Sequence, residues 1–364
     1  MSDTKFNVSD GMNYAPKGKP NPVVKPGEFG FSAVRLDHGH IYGMCNGLVE
    51  AGATLRYVYD PDPKKVEAFV KVFPSVKVAA SEQEVFDDKE TKLIAGAAVT
   101  SERCALGIRA MKAGKDYFTD KAPLTTMEQL NAAKECVKET GKKYMCYYGE
   151  RIHNESAVFA GQLIDEGAIG KVISVAGFGP HRLNAGSRPD WFFEHEKYGG
   201  ILCDIGSHQI EQYLSFAKED DAVVTAARVA NYANPKYPEL EDYGDCMITG
   251  KNGTAFYFRV DWFTPDGLRT WGDGRTLIIG TEGTIELRKY INVGEEPAVS
   301  DVVFLVNKNG EKRFDVQGKV GFPYFGQLIL DCINRTENAM TQDHCFKAAE
   351  LGVLAQMEAN KGCY

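Results

Sequence analysis

The stretch FGFSAVRLDHGHIYG, residues 29–43, followed by TLRYVYDPDP at 54–63, decides the first half of the chain. Residues 29–36 read as a buried strand, and Asp37-His38-Gly39-His40 as a turn. A helix is expected over about 41–51 and a second strand over 54–60, closing on Asp60. Strand, glycine-containing turn, helix, strand and acid make the opening of a dinucleotide-binding unit. Asp60 stands 21 residues after Gly39, near the ~20 expected for the acid that binds the ribose. In such a unit, backbone N–H groups at a helix N-terminus approach the pyrophosphate. The acid accepts from a ribose hydroxyl and repels a 2′-phosphate, so NAD is expected rather than NADP. The glycines depart from the usual pattern. With Gly39 as the central one, Asp37 holds the first place and Gly43 the last, one residue late. The Asp37 carboxylate must turn away from phosphate or pair with a histidine. His38 and His40 read either as hydrogen-bond donors to phosphate or as surface loop residues. As a metal pair they lack a third ligand nearby in the sequence, so no metal is expected.

Outward from this stretch the alternation continues. Helix is expected at 63–73, 102–113 and 126–141, a helical turn at 82–87, and strand at 77–79, 93–99, 116–120 and 143–148. Strands alternating with helices make a doubly wound parallel sheet. Thr100 and Arg103 follow the fourth strand, and Asp120 and Lys121 the fifth, at the edge where open α/β sheets hold their ligands.

After Gly149 the pattern changes. A helix at 154–166 precedes strand-like runs at 172–179, 223–232, 246–249, 254–263, 276–279, 284–288 and 302–306. Asn252-Gly253, Glu282-Gly283 and Asn309-Gly310 are hairpin signals. The second half therefore reads as α+β with a large, mostly antiparallel open sheet. Amphipathic helices at 326–334 and 344–358 end the chain and are expected to pack back on the first domain. The division expected is an extended arm over 1–28, a dinucleotide-binding domain over 29–148, and a substrate-binding and oligomerisation domain over 149–364. The arm, rich in Gly, Pro, Lys and Asn, is expected to lie across another subunit.

Within the second half, GGILCDIGSHQIEQYLSF at 199–216 places Asp204 and His208 four residues apart. On a helix that spacing puts a carboxylate and an imidazole on one face. Ile210, Tyr213 and Leu214 would face a core, with Gln209, Glu211 and Gln212 solvated. Histidine suits proton transfer near neutral pH. A capping aspartate with a satisfied core histidine is the other reading of the pair.

The chain has 364 residues, with 43% hydrophobic and 25% charged residues and a net charge of −8. That length suits two domains. The acidity gives no electrostatic reason to bind nucleic acid or an anionic membrane. No apolar run approaches the ~20 residues of a membrane span, and the polar N-terminus has no signal-like core. Nine cysteines without a CxxC pair suit free buried thiols in a reducing cytoplasm.

Three segments together resemble the Gfo/Idh/MocA oxidoreductases, the family of glucose–fructose oxidoreductase and inositol dehydrogenase. AGKDYFTDKAPLT at 113–125 is similar to the family's AGKHV…EKPL signature, with Lys121 as its lysine. GAIGKV at 167–172 is similar to its entry into the second-domain sheet, and GGILCDIGSH at 199–208 to its GG…L.D.G.H motif. The resemblance runs from about residue 29 to near the C-terminus. In three places the chain differs: Asp120 stands for the signature glutamate, Ala122 precedes Pro123, and Arg103 stands where many relatives have a histidine.

The resemblance implies a Rossmann-type domain binding NAD and a substrate domain whose open sheet forms a homo-oligomer interface. It implies that Lys121 contacts substrate hydroxyl and cofactor, with Asp204 and His208 completing the site. On that basis the expected reaction oxidises a secondary hydroxyl of a sugar, glycoside or cyclitol. His208 would be the base, Asp204 its orienter, and Lys121 the stabiliser of developing alkoxide. Asp37, His38, Gly39, His40, Gly43, Asp60, Thr100, Arg103, Asp120 and Lys121 are the expected cofactor-binding residues. From the loop at 180–193, His181, Arg182 and Asn184 are candidates to bond substrate hydroxyls, and Trp191 to stack on a sugar face. Glu150 and Arg151 are either substrate contacts or a structural ion pair. Three other functions compete: a redox-neutral lyase or hydrolase recycling a tightly held NAD, a dinucleotide-binding sensor, and a metal-dependent lyase using Asp204, His208 and Glu211.

Overall fold

The computed structural model describes residues 11–362. The chain divides into two compact units, Met12–Tyr148 with Gly321–Phe346, and Gly149–Val320 with residues 347–362.

The first unit alternates β1 Gly30–Val34, α1 His40–Glu50, β2 Thr54–Tyr59, α2 Pro63–Val72, β3 Lys77–Val78, α3 Glu82–Asp87, β4 Thr91–Gly96, α4 Arg103–Lys112, β5 Asp116–Asp120, α5 Met127–Thr140 and β6 Tyr144–Tyr147. Every pairing is parallel, in the order β3-β2-β1-β4-β5-β6. β1 and β5 are buried at every position, as strands covered on both faces must be. The helix ends follow local chemistry. Asp62 caps α2 and Pro63 opens it, while Thr126 caps α5 and Gly141 closes it at φ 64°. The order reverses between β1 and β4, so the loops leaving those strands flank a topological switch point.

Residues 12–28 do not reach out as a free arm. They run along their own unit: the Gly18 amide bonds the Glu50 carboxylate, and the Asn21 and Val23 amides bond the carbonyls of Glu50 and Ala51 at 2.9 Å. The Met12 carbonyl oxygen lies against Gly39 and leaves no room for a Cβ there. Residues 1–10 of the expected arm lie outside the described residues, as does Cys363.

The second unit opens with α6 Gly149–Ile152 and α7 Glu155–Asp165, followed by β7 Val172–Pro180. Three helices come next, α8 His195–Tyr198, α9 Ile201–Asp204 and α10 Gly206–Ala217. Then follow β8 Ala222–Ala230, β9 Tyr243–Gly250, β10 Ala255–Asp261, β11 Arg275–Gly280, β12 Gly283–Arg288, β13 Val302–Asn307 and β14 Gly310–Asp315. The chain ends with α11 Pro323–Asn334 in the first unit and α12 Gln342–Lys361, which contributes to both. The strands form one sheet in the order β14-β13-β12-β11-β7-β10-β9-β8, antiparallel except where β7 pairs with β10.

Alternate residues of β9 and β10 are buried beneath the helices, the pattern of a sheet with one covered face. α10 lies on that face, opposite Gly177 and Gly179 of β7. A Cβ at either glycine would meet the Gln209 amide at 2.6 or 2.8 Å. Among the described residues all eight cysteines are buried and none is in a disulfide.

Candidate functional site

Two clusters of functional side chains are built, one in each unit. In the first unit they stand at the C-terminal ends of β1, β2, β4 and β5. Asp60 ends β2. Its carboxylate accepts the amides of Leu36 at 2.6 Å and Asp62 at 2.8 Å. Each oxygen keeps a second lone pair, the acceptor that a ribose hydroxyl requires. Asp37 turns to Lys65 at 2.5 Å rather than to a histidine, which takes its charge off the turn. Arg35, just after β1, is left-handed at φ 64°. Gly43 is required for a different reason than phosphate approach: a Cβ there would lie 2.9 Å from the Tyr147 hydroxyl.

Behind the turn, Asp120 is completely buried. It contacts His38 Nδ1 at 3.1 Å, His40 Nδ1 at 2.9 Å, Arg103 at 3.1 Å and the Lys121 amide at 2.8 Å. Burial pushes its carboxyl up, but His40 and Arg103 outweigh it and hold the group well below the usual carboxylate range. Burial and the neighbouring His40 lower His38 to about 3. An ionised carboxylate only accepts, so the proton on each Nδ1 points to Asp120. The His40 amide is 3.3 Å from the same His38 nitrogen, a longer contact than the one to the charged oxygen. With its Nδ1 proton on Asp120, neutral His38 carries its lone pair on Nε2. The third ligand missing from the sequence reading of His-Gly-His is Asp120, and the three could together hold a metal ion. The guanidinium of Arg103 on the same carboxylate opposes that.

Arg103 also donates to the carbonyls of Ala98, Lys121 and Ala122. It fixes the backbone that carries Lys121, which is itself buried, and Thr100 is buried in the 3₁₀ turn just before it. An acid at the end of β2, an 11-residue helix opening at the turn and a fixed lysine after β5 fit NAD.

In the second unit, Asp204 ends α9 and His208 lies in the first turn of α10, both buried. Ile205 separates the two helices, so the expected single helix is broken there. Gln209, Glu211 and Gln212, expected in solvent, are all buried. The Glu211 carboxylate receives Arg151 at 2.5 Å, so it is held by a guanidinium rather than presented beside His208. Glu150 and Arg151 do not pair with one another. Glu150 Oε2 accepts from Lys289 and from Gln209, each at 2.9 Å. Burial pushes the Glu150 carboxyl up, yet Lys289 foremost, then His208 and His181, bring it down to about 2.

His181 sits 4.0 Å from Glu150, with Nδ1 3.1 Å from the Gly179 carbonyl and its ring against Trp262 and Trp271. Arg182 donates to the carbonyls of Pro265 and Leu268 and ties that loop down. Asn184 is left-handed at φ 42°, and Trp191 packs edge-on against Phe192. The sequence reading missed Lys289, Gln209, Trp262 and Trp271. Only the tryptophans offered a signal, being two of just three in the chain. Nothing around Lys289 in sequence distinguishes it from other lysines at strand ends.

Two family models match the chain: "Oxidoreductase family, NAD-binding Rossmann fold" over residues 37–148, and "GFO/IDH/MocA C-terminal domain" over 158–286. The chain is 31% identical over 259 residues to scyllo-inositol 2-dehydrogenase (NAD(+)) of Bacillus subtilis (strain 168), covering 69% of this chain and 70% of that one. A crystal structure from Erwinia carotovora atroseptica SCRI1043, of a protein assigned as an oxidoreductase, is 51% identical with a TM-score of 0.89, covering 92% of this chain and 99% of that one. Levoglucosan dehydrogenase, in complex with NADH and levoglucosan, shares the fold at TM-score 0.72 and 17% identity over 91% of this chain and 98% of that one. The two matched domains, the Rossmann order of the first sheet and the acid at the end of β2 place this chain in the Gfo/Idh/MocA family, as an NAD-dependent oxidoreductase.

Proposed function

We propose that the chain oxidises a secondary hydroxyl of a sugar, glycoside or cyclitol. NAD, when bound, supplies the hydride acceptor. His208 takes the hydroxyl proton, Asp204 orients it, and Lys121 stabilises the negative charge that develops on oxygen. Histidine and carboxylate on successive helical turns, buried in the second unit, carry this reading. The similarity to an inositol dehydrogenase supports the substrate class.

The outward face of the second sheet supports self-association. Met247, Leu277 and Ile279 are exposed there, with Met247 at 54% and Leu277 at 40%. The pairing of β9, β10, β7 and β11 sets Met247, Tyr257, Ala176 and Leu277 in one row across that face. The occupant we assign to it is a second copy of this chain. No described helix is long and apolar enough to cross a membrane.

The test of the activity is direct. The purified protein is mixed with NAD and neutral sugars, glycosides and cyclitols, and NADH formation is followed by absorbance. At least one polyol should give NADH at rates well above the blank, and His208→Asn should abolish it with NAD binding retained. Absence of NADH across the panel, in a protein that binds NAD, would reject the reaction.

A further inference from the structure

Glu150 is held more elaborately than a structural carboxylate needs. Lys289, fully buried at the end of β12, and Gln209 on α10 both grip Oε2. Oε1 is also buried and has no hydrogen-bond partner among the described residues; His181 Nε2 lies 4.0 Å from it. Burying a lone ion pair is costly, and an apolar pair would often serve stability as well. A buried acceptor without a donor adds to that cost. Gln209 directly follows His208 on α10, so the helix turn that carries the imidazole also anchors the carboxylate. Burial pushes the Glu150 carboxyl up, and Lys289 foremost, then His208 and His181, draw it down.

Other charged groups also pack around α10. Arg151 of α6 and Glu211 of α10 neutralise one another. Asp204 ends α9 one turn before His208. Lys289 is engaged by Glu150 itself.

We propose that Glu150 is a positioning residue for His208: anchored by Lys289 and Gln209, its negative charge stabilises the imidazolium that forms when His208 takes the substrate proton. This rests on His208 being the base. In the step, the substrate O–H bond breaks and an N–H bond forms on His208, while the oxygen electron pair forms the carbonyl C=O as the C–H bond releases its hydride, for which NAD, when bound, would be the acceptor. Glu150 neither gains nor loses a proton. Its charge raises the basicity of His208 and lowers the barrier to that transfer.

The experiment titrates histidine-labelled full-length protein by NMR, with His208→Asn identifying the His208 signal, alongside the pH profile of kcat/KM. Glu150→Gln should lower the His208 midpoint by about one pH unit and move the acid limb of the profile the same way. NAD affinity should not change. Glu150→Asp should restore most of both. If Glu150→Gln fails to fold because Lys289 is left unpaired, Glu150→Gln with Lys289→Met removes both charges and should shift the midpoint in the same direction, by less. An unchanged His208 midpoint in a folded variant overturns the role of Glu150, even with His208→Asn inactive. Turnover retained by His208→Asn overturns the base assignment, and the proposal with it.

Discussion

At His38, a neutral imidazole and an ionised carboxylate share one buried cluster. The His38 ring, lowered to about 3 when folded, would titrate near 6.5 in the unfolded chain. Between those values the unfolded chain binds a proton that the folded one refuses. His38 therefore makes stability fall as pH drops from 6.5 towards 3, by ~1.4 kcal/mol per unit. Asp301 acts in the opposite sense. Burial raises it to about 6, so its contribution is present below the unfolded value and lost as pH rises through 6. The total stability curve mixes the two; the difference between wild type and His38→Asn isolates the first. Measured by urea unfolding, wild type should lose about 2–3 kcal/mol relative to His38→Asn between pH 6.5 and 4. A difference that stays flat with pH would show that His38 is not held neutral. The identity of these residues could be read from the sequence, but their protonation could not. Asp120 is 80 residues from His40 and reaches it only through the parallel pairing of β1, β4 and β5.

At the level of elements, helices and buried strands were legible to within a few residues, because capping residues and apolar periodicity are local. β14, GEKRFD, was not expected as a strand, although its Asn309-Gly310 turn was. It is almost wholly exposed and exists because the hairpin pairs it with β13. α10 shows a further limit. Its polar residues face into the unit, since Gly177 and Gly179 let the helix sit close to the sheet. Gly179→Ala puts a methyl 2.8 Å from the Gln209 amide nitrogen and 3.3 Å from Val260. Overpacking of this kind should cost about 1–3 kcal/mol of stability. Adding Gln209→Ala should recover part of that loss, a non-additivity expected of residues in contact. Chemical denaturation of both single variants and the double variant checks it; strict additivity would place the strain elsewhere.

For the molecule as a whole, one face of the second sheet is covered by helices and the other exposes apolar side chains in a row. Leu277→Asp would place a charge in the middle of that row. If two copies meet there, the variant should shift to the smaller species in analytical ultracentrifugation while unfolding at nearly the wild-type temperature. An unchanged sedimentation profile would rule out this face as the contact.

The sequence alone determined the alternation of strands and helices in the first half, the family, the NAD preference read from Asp60, and Lys121, Asp204 and His208 as the residues to test. Each of these rests on local periodicity or short motifs, which survive in one dimension. Only the tertiary structure decided who pairs with whom. It gave Asp37 to Lys65, Asp120 to two histidines and Arg103, and Glu211 to Arg151. It also set Glu150 against Lys289, 139 residues away. The physical reason is that the charge state of a buried group depends on burial and on the groups brought beside it. In this chain those groups come from distant strands and helices.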